Sequence, residues 1–392
     1  MAIEQEEAMA SRRYDIDWLR VIVMMLVFLF HCGRFFGGGR WHLNNEETSI
    51  VAHLFIGVLD LWFMPFFFLL SGFGTWYSLR SRSAGQYVKE RAKRILVPLY
   101  TMGLLFLLPP QYYFEMLTNR GYEGGFWELM PNYFGRLIHF NLDWPGSLLP
   151  LPFSGHLWFL QFLFLISILS LPILSFLQSE GGRTAISALA RVSERWGGVL
   201  LFILPLAAIR IGLRSFLGGE HSWAGLVEFL FFFVVGFVFA SDSRFFRGIA
   251  KCGWLGVLLG LGSFAIEGYF ILGLGYHYPG REDFSLKFLL FETCMSIGRW
   301  SWIVFMLWVG NKWLNFSNRF LTYGNEAVLP FYILHQTVIL CVGWFVIAWD
   351  IAILPKFAVI VAISFATILA LYDLLIRRFG FMRFLFGMAP KR

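Results

Sequence analysis

Charge is scarce in this chain. Asp, Glu, Lys and Arg make up 15% of its 392 residues while hydrophobic types make up 58%, against roughly a quarter charged in an ordinary soluble domain. That shortage excludes a disordered chain and an ordinary solvated surface. Cysteine is scarce as well: Cys32, Cys252, Cys294 and Cys341 stand in or beside apolar runs with no paired spacing, which points to neither a disulfide framework nor a metal site. No internal repeat is found, and neither a second domain nor a cleaved signal peptide is expected. The first fourteen residues are rich in charged and polar types and hold no long apolar run, and the tails 1–13 and 378–392 are too short to fold alone, so one domain over residues 1–392 is expected.

What is present instead is a succession of long apolar runs, with a mean hydropathy of +0.64. Segments at 17–36, 51–79, 95–115, 156–178, 197–217, 224–241, 252–274, 286–309, 327–347 and 353–376 read as membrane spans, giving an all-α polytopic transmembrane bundle of about ten helices. About two thirds of the 32 Lys and Arg fall on one set of alternate loops, which predicts that both termini are cytoplasmic. The net charge of +7 is then a consequence of topology, and no nucleic-acid partner is needed to explain it. The one sizeable loop expected on the outer side, about 116–155, carries Tyr122, Trp127, Tyr133, His139, Asp143 and Trp144. Such residues suit either stacking on sugar rings or an aromatic belt at the membrane interface.

Polar residues inside the spans are the informative exceptions. Arg20 and His31 lie in the first span, eleven residues or three helical turns apart, and so share one face with Asp17 and Arg34 close by. An Arg at mid-bilayer costs at least ~2.5–3.5 kcal/mol, and such residues usually face a bundle interior or a wet cavity. The competing reading is that Arg20 and Arg34 snorkel to the two headgroup layers while His31 bonds a neighbouring helix. His156 opens the fourth span in Gly155-His156-Leu157-Trp158-Phe159-Leu160, and His335 sits in Tyr332-Ile333-Leu334-His335-Gln336. With Arg299 and Glu292 seven residues apart on the eighth span, these residues predict a buried polar chamber. The loop from Arg80 to Arg94 supplies Arg82, Lys89, Arg91 and Arg94. Arg91 and Arg94, one turn apart at an expected helix start, suit phosphate binding; a topology signal or contact with anionic membrane lipids accounts for the charge equally well.

Arg-x10-His in the first span, Phe-Leu-Leu-Ser-Gly-Phe at 68–73, Arg-x-x-Arg at 91–94 and Tyr-Ile-Leu-His-Gln at 332–336 together resemble the acyltransferase 3 family of integral-membrane acyltransferases. Arg40-Trp41-His42-Leu43-Asn44 and His156 to Leu160 are similar to a branch of that family associated with succinylating periplasmic glucans. The resemblance implies an O-acyltransferase of the bacterial cytoplasmic membrane. It would move an acetyl or succinyl group from cytoplasmic acyl-CoA, a co-substrate rather than a bound cofactor, to a hydroxyl of an extracytoplasmic carbohydrate. On that reading His31 is the general base and Arg20 its paired Arg. Arg91 and Arg94 hold the donor with help from Arg82 and Lys89, and Arg34, His156 or His335 steadies the carbonyl oxygen. On physical grounds alone, a transporter or exporter of an anionic metabolite or lipid-linked sugar would need a similar basic, wet path.

Overall fold

The computed structural model describes residues 12–138, 155–219, 221–276 and 284–390. His139, Asp143 and Trp144 lie outside them. In chain order the helices are α1 (Tyr14–Gly33), α2 (Ile50–Ser81), α3 (Ala84–Arg120), α4 (Phe126–Ile138), α5 (Gly155–Leu169), α6 (Leu171–Gln178), α7 (Glu180–Ser193), α8 (Gly198–Leu217), α9 (Trp223–Ser241), α10 (Arg244–Cys252), α11 (Leu255–Gly273), α12 (Leu286–Trp313), α13 (Arg319–Val346), α14 (Ile353–Ile376) and α15 (Gly380–Leu385). Among the described residues no strand forms.

Every expected span coincides with a helix. Eight are long and apolar enough to cross a membrane, and α5 with α6 makes a ninth if the pair is one span bent by 47°. The bend falls at Ser170-Leu171-Pro172, where Pro172 in the first turn of α6 has no N–H for the ladder. The tenth position is α12, whose 28 residues give a rod of about 42 Å. Its Lys287, Glu292, Arg299 and Lys312 make it less apolar than the others.

Helix α1 packs against α2, α12, α13 and α14. That central position turns its polar stripe toward protein. Helices α2 and α9 approach closely because each has a glycine at the contact: a Cβ on Gly72 would collide with the Phe233 carbonyl, and one on Gly236 with the Leu69 carbonyl. The Gly of Phe-Leu-Leu-Ser-Gly-Phe is therefore a packing residue. We expect Gly72→Val to lower the thermal midpoint of the detergent-solubilised protein by an overpacking penalty of about 1–3 kcal/mol. Gly262→Ala, which meets nothing within 4 Å, should leave the melt unchanged. The Gly256-to-Gly260 pair seats α11 on α12 in the same way, against the Ser301 carbonyl and the Trp302 ring.

Two sequence expectations are corrected. The outer segment after 116 is not an extended loop where it is described: α3 continues to Arg120, Gly121 ends it at φ +66, and α4 follows. Tyr133 is buried and donates to the Leu104 carbonyl at 3.0 Å, so it packs rather than greets a sugar. Trp127 is 81% exposed. The second correction is the start of α3. Ser83 and Gln86 form a reciprocal capping box, which begins the helix about two turns before Arg91. Arg91 and Arg94 thus sit inside the helix, where backbone N–H groups are already committed, and any anion there is met by guanidinium groups. Around Pro98 the same helix widens to π geometry, over Ala92–Leu96 and Leu99–Leu107. Where α9 turns into α10, Asp242 accepts from the Arg244 backbone at 2.9 Å and its guanidinium at 2.6 Å, and the side-chain bond holds the Asp242 carboxyl below its ordinary range.

Candidate active site

Arg20, Met24 and Val27, at helical spacing on α1, form one wall of a cavity of about 480 Å³. Helix α2 contributes Ser71, Gly74 and Ser78, α3 contributes Tyr87, Arg91 and Arg94, α5 contributes Phe159, Leu160 and Leu163, and α13 contributes Asn325, Val328, Leu329 and Tyr332. The cavity is polar at one end and apolar at the other. Its polar end gathers four guanidinium groups, Arg20, Arg82, Arg91 and Arg94, with the carboxylate of Glu90. Arg82 pairs with Glu90 at 2.9 Å and Arg20 with Asp17 at 3.2 Å. Arg91 is held by a chain running through Thr75, with its guanidinium 2.9 Å from Thr75 Oγ1, which lies 3.1 Å from the Tyr87 hydroxyl. Positive charge is in excess, which suits a phosphorylated ligand. Lys89 is exposed and takes no part in the wall, so of the four expected donor-binding bases three converge and one does not.

The apolar end stops one helical turn short of the histidines, at Val27 and Tyr332. Their backbone carbonyls organise the cluster. His31 Nδ1 lies 2.9 Å from the Val27 carbonyl and 3.3 Å from His335 Nε2, while His335 Nδ1 lies 2.6 Å from the Tyr332 carbonyl. His156 Nε2 faces two carbonyls, of Tyr332 at 3.1 Å and Ile333 at 3.2 Å. His335 lies between the other two in edge-to-face contact, with ring centroids 4.9 Å from each. A carbonyl only accepts, so the nitrogen facing one carries the proton. This assigns Nδ1–H to His335 and leaves its Nε2 as the acceptor of the His31 Nδ1–H. His31 Nε2 then carries a lone pair and has no hydrogen-bond partner among the described residues. His156 is the opposite tautomer, donating from Nε2 and accepting at Nδ1 from the Gln111 amide at 3.2 Å.

Gln111 is the hub of the surrounding network. It donates to Thr337 Oγ1 at 2.7 Å and to the Leu107 carbonyl at 3.1 Å, and it accepts from Gln336 at 3.1 Å. The Tyr332 hydroxyl donates to the His156 carbonyl. His156 and His335, 5% and 0% exposed, have both ring nitrogens engaged, so they position His31 and have no N–H to spare for a substrate oxygen. Arg34, the third residue expected to hold that oxygen, donates to the Arg40 carbonyl at 3.1 Å. Sequence reasoning missed Gln111, Thr75 and Tyr87. Gln111 had a signal, since an amide within an apolar span must find a partner.

The expected single chamber divides into two clusters. Arg299 and Glu292 join Arg210, Arg214 and Glu228: Glu228 pairs with Arg210 at 2.9 Å, Arg214 at 2.9 Å and Arg299 at 3.1 Å, and Glu292 with Arg210 at 2.7 Å. None of these five lines the cavity. Above His31, residues 34–49 fold over the bundle. Glu115 holds Arg40 at 3.3 Å and His42 at 2.9 Å, Lys356 holds Asn45 at 2.9 Å, and Trp41 lies with its ring centroid 6.3 Å from that of His31.

The family model described as an acyltransferase domain matches residues 13–375. Curated relatives include the glucans biosynthesis protein C of Salmonella paratyphi A and that of Salmonella agona, each 24% identical over 398 residues, covering 97% of this chain and 96% of the relative. The protein of the same name from Salmonella heidelberg is 23% identical over 399 residues, with the same coverage. No solved structure matches the chain. A family match from Arg13 to the end of α14, on a polytopic helical bundle, makes this chain a member of the acyltransferase 3 family and an integral-membrane acyltransferase.

Proposed function

We propose that the protein transfers a short acyl group, acetyl or succinyl, from cytoplasmic acyl-CoA to a hydroxyl of an extracytoplasmic glucan or related carbohydrate, in the bacterial cytoplasmic membrane. The observation that carries this reading is the cavity with four guanidinium groups at one end and, just past the other, a histidine with an unengaged Nε2. The phosphates of the coenzyme pair with Arg82, Arg91 and Arg94, and the pantetheine arm passes Arg20 toward Val27. The acceptor oxygen attacks the thioester carbonyl as His31 Nε2 takes its proton. When the tetrahedral intermediate collapses, the C–S bond breaks and His31 returns the proton to the leaving thiolate, so the products are the ester and free coenzyme A. Arg34, on the outer side of His31, is the candidate for the oxyanion. The glucan acceptor rests on what the relatives' name says of them.

The test is steady-state thiol release from acetyl- and succinyl-CoA by the protein in nanodiscs. We expect Arg91→Ala with Arg94→Ala to raise the donor KM by about 10-fold or more, through the loss of charge-assisted contacts, with a smaller change in kcat. An unchanged donor KM would remove these arginines from the donor site. Uptake of a sugar into vesicles without any acyl donor, and no thiol release, would favour an exporter.

A further inference from the structure

Asn325 lines the cavity on α13, one turn before Val328 and Leu329 and two before Tyr332. Both atoms of its side-chain amide, Oδ1 and Nδ2, are buried and have no hydrogen-bond partner among the described residues. A native interior rarely leaves a donor and an acceptor unsatisfied side by side, and a wholly orphaned amide in a cavity wall marks a place that a ligand completes. Its neighbours hold it in place. Glu326 pairs with Arg383 at 2.8 Å and Arg377 at 3.4 Å, and Gly324 sits against Val21, where a Cβ would be 3.1 Å from Val21 Cγ2.

That contact also sets the level of Asn325 in the bundle. Gly324 lies beside Val21 and His335 beside His31, so α1 and α13 run in the same direction. Asn325 therefore stands level with Ile22, two residues past Arg20, between the guanidinium cluster and the histidines. From Asn325 to Tyr332, where the cavity ends, is seven residues or about 10.5 Å along the helix. In a pantetheine arm the second amide nitrogen lies seven bonds from the sulfur, or about 9 Å when extended. A thioester placed at the level of Tyr332 puts that amide at the level of Asn325.

We propose that Asn325 is a donor-binding residue that recognises the inner amide of the pantetheine arm, the one joining pantoate to β-alanine, its Nδ2 donating to the carbonyl of that amide and its Oδ1 accepting from the pantoate hydroxyl beside it. The proposal rests on the acyl-CoA reading above and makes recognition bipartite: arginines for the phosphates and one amide for the arm.

Three donors separate these contributions on the purified full-length protein. Acetyl-CoA carries phosphates and both amides, S-acetylpantetheine has both amides and no phosphate, and S-acetyl-N-acetylcysteamine ends after the first amide. Asn325→Leu is expected to lower kcat/KM by about 10-fold or more for the first two and to leave the third within about 2-fold of wild type. Asn325→Asp, which keeps the shape and loses the N–H donors, is expected to show the same pattern and carries the test if Asn325→Leu does not fold. Equal losses on all three donors, or no loss on any, would overturn the assignment while leaving the acyltransferase reading in place. A wild-type protein silent on all three would overturn both.

Discussion

Replacing His31 by alanine is expected to lower acyl transfer by at least about 10³-fold in kcat, with the protein still folded. In the proposed mechanism the general base is a single atom, for which losses of ~10²–10⁴ are typical. His31 Nδ1–H is held by the Val27 carbonyl and by His335, which turns the lone pair of Nε2 toward substrate. Neither neighbouring imidazole substitutes for it, because His156 is saturated by two carbonyls and Gln111, and His335 by Tyr332 and His31 itself. The side chain is only half-buried and stands at the end of the polar cluster, giving it one side-chain hydrogen bond, to His335, so its truncation is expected to leave the bundle intact. Size-exclusion profiles and melting curves of His31→Ala beside wild type check the fold, and product formation checks the rate. Substantial transfer by a folded His31→Ala protein would place the base elsewhere.

The second large effect is on stability. Glu228 is the shared carboxylate of Arg210, Arg214 and Arg299, with all four side chains between 0% and 5% exposed. Removing one partner of such a cluster costs more than the pair contributes, because buried charge is left uncompensated. We expect Glu228→Ala to cost about 3–5 kcal/mol, enough to abolish recovery of monodisperse protein. Glu194→Ala, which breaks the more exposed pair with Arg247, should leave the melt close to that of wild type. A Glu228→Ala protein with a wild-type melt but no transfer would show that the cluster serves catalysis and not the fold.

The parts of this site that depend on spacing along one helix were legible in the sequence. Arg20 and His31 do share a face of α1, and the residues between them, Met24 and Val27, line the cavity. Arg91 and Arg94 do face the same way, although the capping box at Ser83 and Gln86 moves the helix start and changes the physics from backbone dipole to guanidinium charge. What depends on pairing between distant segments was not legible. His31 meets His335 across 304 residues, and the His156 tautomer is fixed by carbonyls of α13, which carry no side-chain signature. Glu228 passed unnoticed because a single acid in the phenylalanine-rich run of α9 has no periodicity. Its partner Arg299 is visible in the sequence as a misplaced charge, but spacing along one helix cannot separate Arg299 and Glu292 from the histidine chamber. The extent of α4 was hidden because an amphipathic helix of 13 residues is too short to read as a span and too aromatic to separate from an interfacial loop.

The central claim is that this cavity delivers a thioester to His31. The most direct measurement is release of free thiol from acetyl- and succinyl-CoA by the wild-type protein and His31→Ala in nanodiscs, with a glucan oligosaccharide added or omitted. The account predicts saturable release by wild type from at least one donor, stimulation by the acceptor, and loss of both in His31→Ala. Saturable release of equal rate in the two proteins, or no release and no donor binding by wild type, would contradict it.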